Sequence, residues 1–431
     1  MNRAWMRTAL WSLTFLMLAP VENSYASYSI VDLEALGSNS SSAASVNSQG
    51  VVVGAATVGG TEHAFLWKSG VATDLTELSG PGVQWATDIN ARGQVLVGGF
   101  PPVEGSWQAF VFEDGTLTSL PTLGGSANRA HAISDRGDVV GASSLAGIPS
   151  RDHAYLWRNG DMLDLGTLGG ISSAANGVND RDEVVGQSFT ASGEVHAFLW
   201  RQGAMVDLGT LGGPSSSAAD INDLGEVVGF ATTAAGEAHA FLWKDGVMTD
   251  LGAPGGIRSN AVAINGRGQI VGYVENATTA HAVLWEKGAV TDLGTLGGAL
   301  STPSDIDEHG WIVGDSQTAS GEDHAALWVP SNQESSPKPA VSAQARITRN
   351  PNSTVSLFFE IPRAGNVTLR LFDVSGRLVR EVWSARSVGA GRQEAVIDAR
   401  TSSGAYLPSG VYYYRAEMQR WSASGKVLIT R

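Results

Sequence analysis

The sequence predicts an all-β protein: a seven-bladed β-propeller followed by a small immunoglobulin-like β-sandwich. Three observations carry this reading. The phrase HAFLW, or a close variant, begins at His63, Gln108, His153, His196, His239, His281 and His324. A fixed period of this size marks a repeat architecture. Each unit holds four short apolar runs, in the fifth SSAADIN, GEVVGF, HAFLW and GVMTDLG, separated by glycine-bearing turns that close hairpins. The runs lack a 3.6-residue period, and HAFLW and EVVGF are apolar at adjacent positions, as strands covered on both faces are. Propeller blades cover one another in this way. A β-helix has shorter coils that need no pair of tight hairpins.

Taken in order, residues 1–26 read as a signal peptide. Arg3 and Arg7 precede the apolar run ALWSLTFLMLAP, and Ser24-Tyr25-Ala26 supplies small residues for cleavage. The run is too short to span a bilayer, and no other segment could. The propeller is assigned to residues 27–329. Within each unit the smallest run, such as SSAADIN, is placed innermost at the crowded axis. GEVVGF is second, HAFLW third and VMTDLG outermost, with TLGG crossing to the next blade. The seventh unit lacks its own outer strand after Trp328, while YSIVDLEALG at the N-terminus has no preceding HAFLW. Residues 28–34 are therefore expected to close the last blade and remove two open edges. Residues 330–344, rich in Pro and Ser, read as a linker. Residues 345–431 contain seven strand-like runs, several alternating as in VTLRLFDV, which suits a small antiparallel sandwich.

An aspartate follows the histidine at a fixed distance of 11 residues in five units: His63/Asp74, His153/Asp164, His196/Asp207, His239/Asp250 and His281/Asp292. In the second unit both are absent, replaced by Gln108 and Ser119. Residues lost together are residues that bond each other. Closure by the N-terminal strand adds a sixth pair, His324 with Asp32. Equivalent positions on different blades lie on a wide circle and cannot converge on one ion. These pairs are expected to be buried structural hydrogen bonds, and no metal or cofactor is expected. The tryptophans of the phrase (Trp67, Trp157, Trp200, Trp243, Trp285 and Trp328) are expected between blades.

The recurrent HAFLW, DLGTLGG and IN-x-x-G-EVVG phrases resemble the HAF repeat of bacterial extracellular proteins, over residues 28–329. That resemblance supplies no activity. The tail, with GNVTLRLFDVSGRLVR, PSGVYYYR and the closing SGKVLITR, resembles the immunoglobulin-like domain of flagellar hook-capping proteins. It also resembles the C-terminal sorting domain of type IX secretion substrates, over residues 345–431. The second resemblance implies export across the outer membrane, with the secretion machinery as a partner and a secreted or cell-surface location.

Charge divides the chain. Residues 27–340 hold 13 Lys and Arg against 35 Asp and Glu, and residues 341–431 hold 13 against 6. An acidic body argues against nucleic acid as a partner. The chain contains no Cys, so stability rests on its cores. The sequence has no aspartate box, H-E-x-x-H, G-x-S-x-G or calcium loop, and no catalytic residue is assigned. Asp88, Asp220 and Asp305 share one repeated position and read as turn and inner-strand caps. The expected function is a non-catalytic binding module for an extracellular glycan, peptide or protein. The alternative is an extracellular hydrolase or lyase acting on a polysaccharide. Function is sought where the repeat breaks. At the start of the inner strands stand Ser42, Trp85, Arg129, Ala174, Ser217, Asn260 and Thr302. Trp85 and Arg129 break the series of small residues, beside unusually long loops that carry Trp107 and Arg151. These four residues form the candidate ligand site.

Overall fold

The computed structural model describes residues 27–80, 82–100, 106–331, 354–361, 365–372, 377–389, 391–398, 410–418 and 421–429. The signal-peptide segment, the run ARITRN and all of the linker after Ser331 lie outside the described residues. Almost every described element is a strand. Up to residue 331 the strands pair in antiparallel sets of four, joined within each set by hairpins. The first set comprises Ser41–Val46, Val51–Val58, Thr61–Lys68 and Val71–Asp74. Six further sets follow, within residues 85–119, 124–166, 169–207, 212–252, 258–292 and 297–330. The last borrows its fourth strand from the other end of the chain. Tyr28–Asp32 pairs antiparallel with Asp323–Pro330, placing Ile30 opposite Trp328 and Asp32 opposite Ala326.

The fold is a β-propeller. Its apolar core, among the described residues of this part, is divided into clusters that each join two consecutive sets. One unites Val185, Leu199 and Ala218 with Val227 and Phe241, from the fourth and fifth sets. Another unites Val52, Phe65 and Trp67 of the first set with Val313, Ala325 and Leu327 of the last. Each inner strand also touches the inner strand of the next set, and Ser41–Val46 touches Gly297–Ile306. Burial between sheets explains why HAFLW is apolar at neighbouring positions: Ala240 and Phe241 are both fully buried, facing opposite neighbours. The tryptophans are less uniform than the sequence predicts. Trp67, Trp285 and Trp328 are buried, whereas Trp157, Trp200 and Trp243 are half-exposed at the rim.

Two backbone constraints, a left-handed turn and a close approach, explain the glycines. The outer hairpin is a two-residue turn, Lys244 pairing with Val247, with Asp245 at φ 51° and Gly246 at φ 87°. That is the geometry favoured where strands twist, and Asp-Gly suits it. This turn sets the register in which Asp250 stands opposite Phe241. The Gly of EVVG has a different cause. A Cβ on Gly229 would lie 2.0 Å from the Ser217 carbonyl oxygen, because the inner strand bulges against it.

The tail contains two antiparallel sheets. Thr354–Ile361 pairs with Gly391–Asp398, and Leu378–Val388, Gly365–Phe372, Gly410–Met418 and Trp421–Ile429 form the other in that order. Val367, Leu369 and Leu371 bury one parity of their strand against Trp383, Tyr412 and Tyr414.

Candidate functional site

Strand direction gives the propeller two unlike faces. The crossings and the loops between second and third strands share one, and the short hairpin turns share the other. Trp107 and the second hairpin of the third set therefore lie on the face where the inner strands begin. The segment expected as a long loop in the third set is instead strand, Val139–Leu145 and Ile148–Arg158, with Leu145 pairing with Ile148 across a two-residue turn.

On this face the structure brings three aromatic rings together. Trp85 stacks on Trp107, with centroids 4.9 Å apart and planes at 21°. Phe100 meets both edge-on, at 6.2 Å and 5.1 Å. Gly98, the cross-strand partner of Trp85, makes this possible. Equivalent positions in other sets carry Ala55, Ala142, Gln187, Phe230, Tyr273 and Asp315. A Cβ at Gly98 would lie 3.1 Å from Trp107 Cζ2. Phe100 remains 47% exposed, so the cluster is not sealed. The Trp107 carbonyl accepts from the Asn128 backbone N–H at 3.0 Å, which holds the cluster one residue from Arg129. Arg129 Nη1 lies 3.4 Å from Asp152 Oδ2, both partly exposed. Arg151 is exposed next to Asp152. Of the four candidates, then, Trp85 and Trp107 touch, Arg129 adjoins them, and Arg151 stands at the edge. Phe100, Gly98 and Asp152 do not stand out in the sequence pattern. Gly98 carries a readable signal, since it falls where other sets carry a side chain.

The histidine–aspartate pairs are in hydrogen-bond contact. His63 Nδ1 is 2.7 Å from Asp74 Oδ2, His153 Nδ1 2.9 Å from Asp164 Oδ1, and His196 Nδ1 2.8 Å from Asp207 Oδ2. His239 Nδ1 is 3.0 Å from Asp250, His281 Nδ1 2.8 Å from Asp292 and His324 Nδ1 2.6 Å from Asp32. Their contact is as expected, and their exposure is not. The aspartate is opposite the residue two after the histidine, Asp250 facing Phe241, so the contact is a same-face diagonal. The pairs are also half-exposed rather than buried; the His239 and Asp250 side chains retain 17% and 42% of their surface. The aspartates also shape the backbone that follows them. Asp250 Oδ1 accepts from Gly252 N–H at 2.7 Å, starting the crossing to the next set. Gln108, in the set without a pair, bonds the Ser126 carbonyl instead. His131, outside the phrase, is half-buried, with Nδ1 2.8 Å from the Ala175 carbonyl.

Three carboxylates line the channel deeper in. Asp88, Asp220 and Asp305 are half-buried on the inner strands. They are links between sets rather than turn caps. Asp88 Oδ2 accepts from Ile133 N–H at 2.8 Å, Asp220 Oδ2 from Ile264 N–H at 2.9 Å, and Asp305 Oδ2 from Val46 N–H at 2.9 Å, each in the next set. Ser45 Oγ lies 2.7 Å from both Asp88 Oδ1 and Asp305 Oδ2. A hydroxyl has one proton, so both contacts are hydrogen bonds only when one carboxyl is protonated. Burial, then the nearby Asp305 charge, pushes Asp88 up to about 7, and burial pushes Asp220 up to about 6.

A belt of asparagines closes the hairpin face. Asn47 Nδ2 donates to the Asn90 carbonyl, Asn90 to Ser134, Asn179 to Asn222, Asn222 to Asn265 and Asn265 to Asp307, at 3.0–3.1 Å. The belt ends at Asp307, whose side chain has no N–H to donate, and breaks at Ser134, too short to reach the fourth set. There Arg136 Nη1 donates to the Asp180 carbonyl and Asp182 Oδ1, both at 3.0 Å, and Arg158 joins Asp138 to Asp182. A cleft of about 540 Å³ opens at this junction, lined by Arg158, Arg181, Asp182, Glu183, Trp200 and Arg201. It lies on the face opposite the aromatic cluster. Arg158 is spent on Asp138 and Asp182, and Arg181 on Glu183, so this cleft is explained by the junction it repairs. Among the described residues, no group of three or more His, Asp or Glu is placed to hold a metal ion. No helix among them is long and apolar enough to cross a membrane.

No family model matches this chain, and no curated protein matches it. Among solved structures it is similar to PorZ, titled an essential bacterial surface component of the type-IX secretion system of Porphyromonas gingivalis. The identity is 13%, covering 91% of this chain and 59% of that one, with a TM-score of 0.40. The β-propeller domain of the Trilobed protease from Pyrococcus furiosus matches at 10% identity, covering 67% and 95%, with a TM-score of 0.46. A puromycin-hydrolysing peptidase of Mycobacterium tuberculosis matches at 13% identity, covering 78% and 60%, with a TM-score of 0.49. This chain thus spans less than two thirds of the first and third of these. The propeller assignment rests on the strand pairing itself.

Proposed function

We propose that this chain is an exported, seven-bladed propeller that binds an extracellular glycan, peptide or protein without catalysis, and that residues 345–431 form an immunoglobulin-like domain serving secretion or surface attachment. The sets of four strands, each packed on the next, and the pairing of Tyr28–Asp32 with the last set support a closed ring of seven. The basic charge and sorting-type phrases of the tail support the second role, with the secretion machinery as its partner.

The observation that carries the binding reading is the Trp85–Trp107–Phe100 cluster beside Arg129. It lies where the series of small inner-strand residues is broken, and it is partly exposed. Aromatic residues and arginine dominate binding hot spots. The hydrolase or lyase reading draws on the Asp88–Ser45–Asp305 contact, two carboxyls sharing one hydroxyl. Every oxygen of that pair already accepts from Ser45 or a backbone N–H of Ile89, Ile133, Val46 or Ile306, which favours a structural role. The test is a glycan and peptide array probed with the mature chain, followed by a Trp85→Ala, Arg129→Ala double variant. Loss of the bound probe, with the circular dichroism unchanged, is the expected result. Binding at full affinity would remove this face from consideration.

A further inference from the structure

The junction between the third and fourth sets accounts for two arginines of the cleft beside it and leaves a third unused. In the third set, the residue after the phrase tryptophan pairs with the acid just before the second strand: Arg158 Nε lies 2.7 Å from Asp138 Oδ1. In the fifth set Lys244 Nζ lies 2.7 Å from Glu226 Oε1 in the same way. The fourth-set equivalents are Arg201 and Glu183, since Val184 pairs with Trp200 as Val139 does with Trp157 and Val227 with Trp243. That pair does not form. Arg181 turns back on Glu183, its Nη2 2.6 Å from Oε2, and Asn179 Nδ2 donates to the same oxygen at 2.8 Å. The neighbouring sets avoid this competition. Arg136 reaches forward to the Asp180 carbonyl and Asp182, and the fifth set carries Leu224 at that place. Arg201 is left exposed, without an ion pair among the described residues.

The same cleft holds a second unused charge and an apolar wall. Asp161, also exposed, follows Arg158 across the two-residue turn of the third set and makes no ion pair among the described residues, because Arg158 already serves Asp138 and Asp182. Trp200 is half-exposed and packs against the cluster that contains Leu156, and Leu163 keeps 49% of its surface. Arg201, Asp161, Trp200 and Leu163 all line this one cleft of about 540 Å³, a volume usual for a small-ligand site. We infer that the cleft takes a zwitterion with an apolar body, an apolar amino acid or a short peptide with both ends free, its carboxylate on Arg201 and its ammonium on Asp161. The remaining charges of the cleft are paired with one another, so a ligand of one sign would leave either Arg201 or Asp161 unanswered. A guanidinium is a forked donor suited to a carboxylate, and Trp200 with Leu163 receives the apolar side chain. The site lies on the face opposite the Trp85 cluster and stands or falls separately from it.

The experiment is a calorimetric titration of the full mature chain with phenylalanine, leucine and the dipeptide Leu-Phe, each compared with its N-acetyl and C-amide forms. The expected result is binding of at least one free zwitterion, weakened about tenfold or more by acetylation and by amidation, since each removes a charged hydrogen-bond partner. Arg201→Gln should weaken the free form as much as amidation does and leave the amide unaffected. Asp161→Asn should do the same for the acetyl form. Arg201→Lys should keep part of the affinity, and Arg129→Gln, on the other face, all of it. Both tested side chains are exposed and unpaired, so an unchanged thermal melt is expected to accompany the loss. Absence of binding at millimolar concentration, or binding indifferent to Arg201→Gln and Asp161→Asn, overturns the inference. Sensitivity to amidation without sensitivity to acetylation overturns the zwitterion assignment as well. Neither result touches the binding reading at the Trp85 cluster, which its own double variant tests.

Discussion

His239 and Asp250 show how far one residue pair can be weighed. Their contact is a charge-assisted hydrogen bond at 3.0 Å, half-exposed, and it also steadies the Gly252 turn. Exposure reduces its worth to the lower end of the usual range, so His239→Ala is expected to cost about 1 kcal/mol, roughly 2 °C in melting temperature. An unchanged thermal melt would show that the pair does not support the fold. Asp88 gives a sharper prediction with pH. Its folded value, about 7, lies above the 3.8 of an unperturbed aspartate. The folded state therefore holds a proton that the unfolded chain releases. Stability linked to Asp88 is full below about pH 4, declines as pH rises towards 7, and is then constant. Asp88→Asn, which mimics the protonated form, should flatten this decline. Equal losses of melting temperature between pH 4.5 and 7.5 in both proteins would refute the shared-proton arrangement.

Elements are joined here by side chains at their ends. Asn222 is buried and makes four bonds: Oδ1 accepts from Leu224 and Glu226 N–H, and Nδ2 donates to Glu226 Oε2 and the Asn265 carbonyl. Three of these shape its own turn and one ties the fifth set to the sixth. Removal leaves several buried groups unmatched, so Asn222→Ala is expected to cost about 3 kcal/mol, well above His239→Ala. A smaller loss by urea denaturation than that of His239→Ala would reverse the ranking. A serine relay works at the other end of several sets, with Thr76 in the place of the serine in one. Ser259 Oγ accepts from Ala240 N–H at 2.8 Å and donates to the Gly252 carbonyl at 2.6 Å. Small residues in the inner strand are thus partly there for a hydroxyl, not only for space.

At the scale of the molecule, the two chain ends of the propeller meet. Tyr28 to Asp32 supplies the outer strand of the last set, and Ser45, Val46 and Asp305 join the inner strands of the first and last. Deleting residues 27–34 removes the former and opens an edge in the strand beginning at Asp323. The melting temperature should fall by more than it does for His239→Ala, and aggregation should rise. A variant that melts as the intact chain does would show that closure contributes nothing. The tail is tested by location. A strain expressing the chain without residues 341–431 should retain it inside the cell envelope, and normal release into the medium would reduce the tail to an accessory domain.

The strands, their grouping and the spacing of His from Asp are legible in the residues alone, because each follows from local chemistry repeated at a fixed period. Alternate burial, Gly-bearing turns and the 11-residue interval need no knowledge of the neighbour. What joins one set to the next is not legible until the chain is folded. The Asn222–Asn265 belt, the Ser45 bridge between Asp88 and Asp305, and the Ser259 relay link residues more than 40 positions apart or on different strands, and each reads locally as a turn or a small residue. The mouth is divided the same way. Trp85 and Arg129 stand out as breaks in a series, but the stack on Trp107 depends on the space at Gly98. A period reveals what every unit shares; contacts between units, and the atoms they leave unmatched, exist only once the ring is folded.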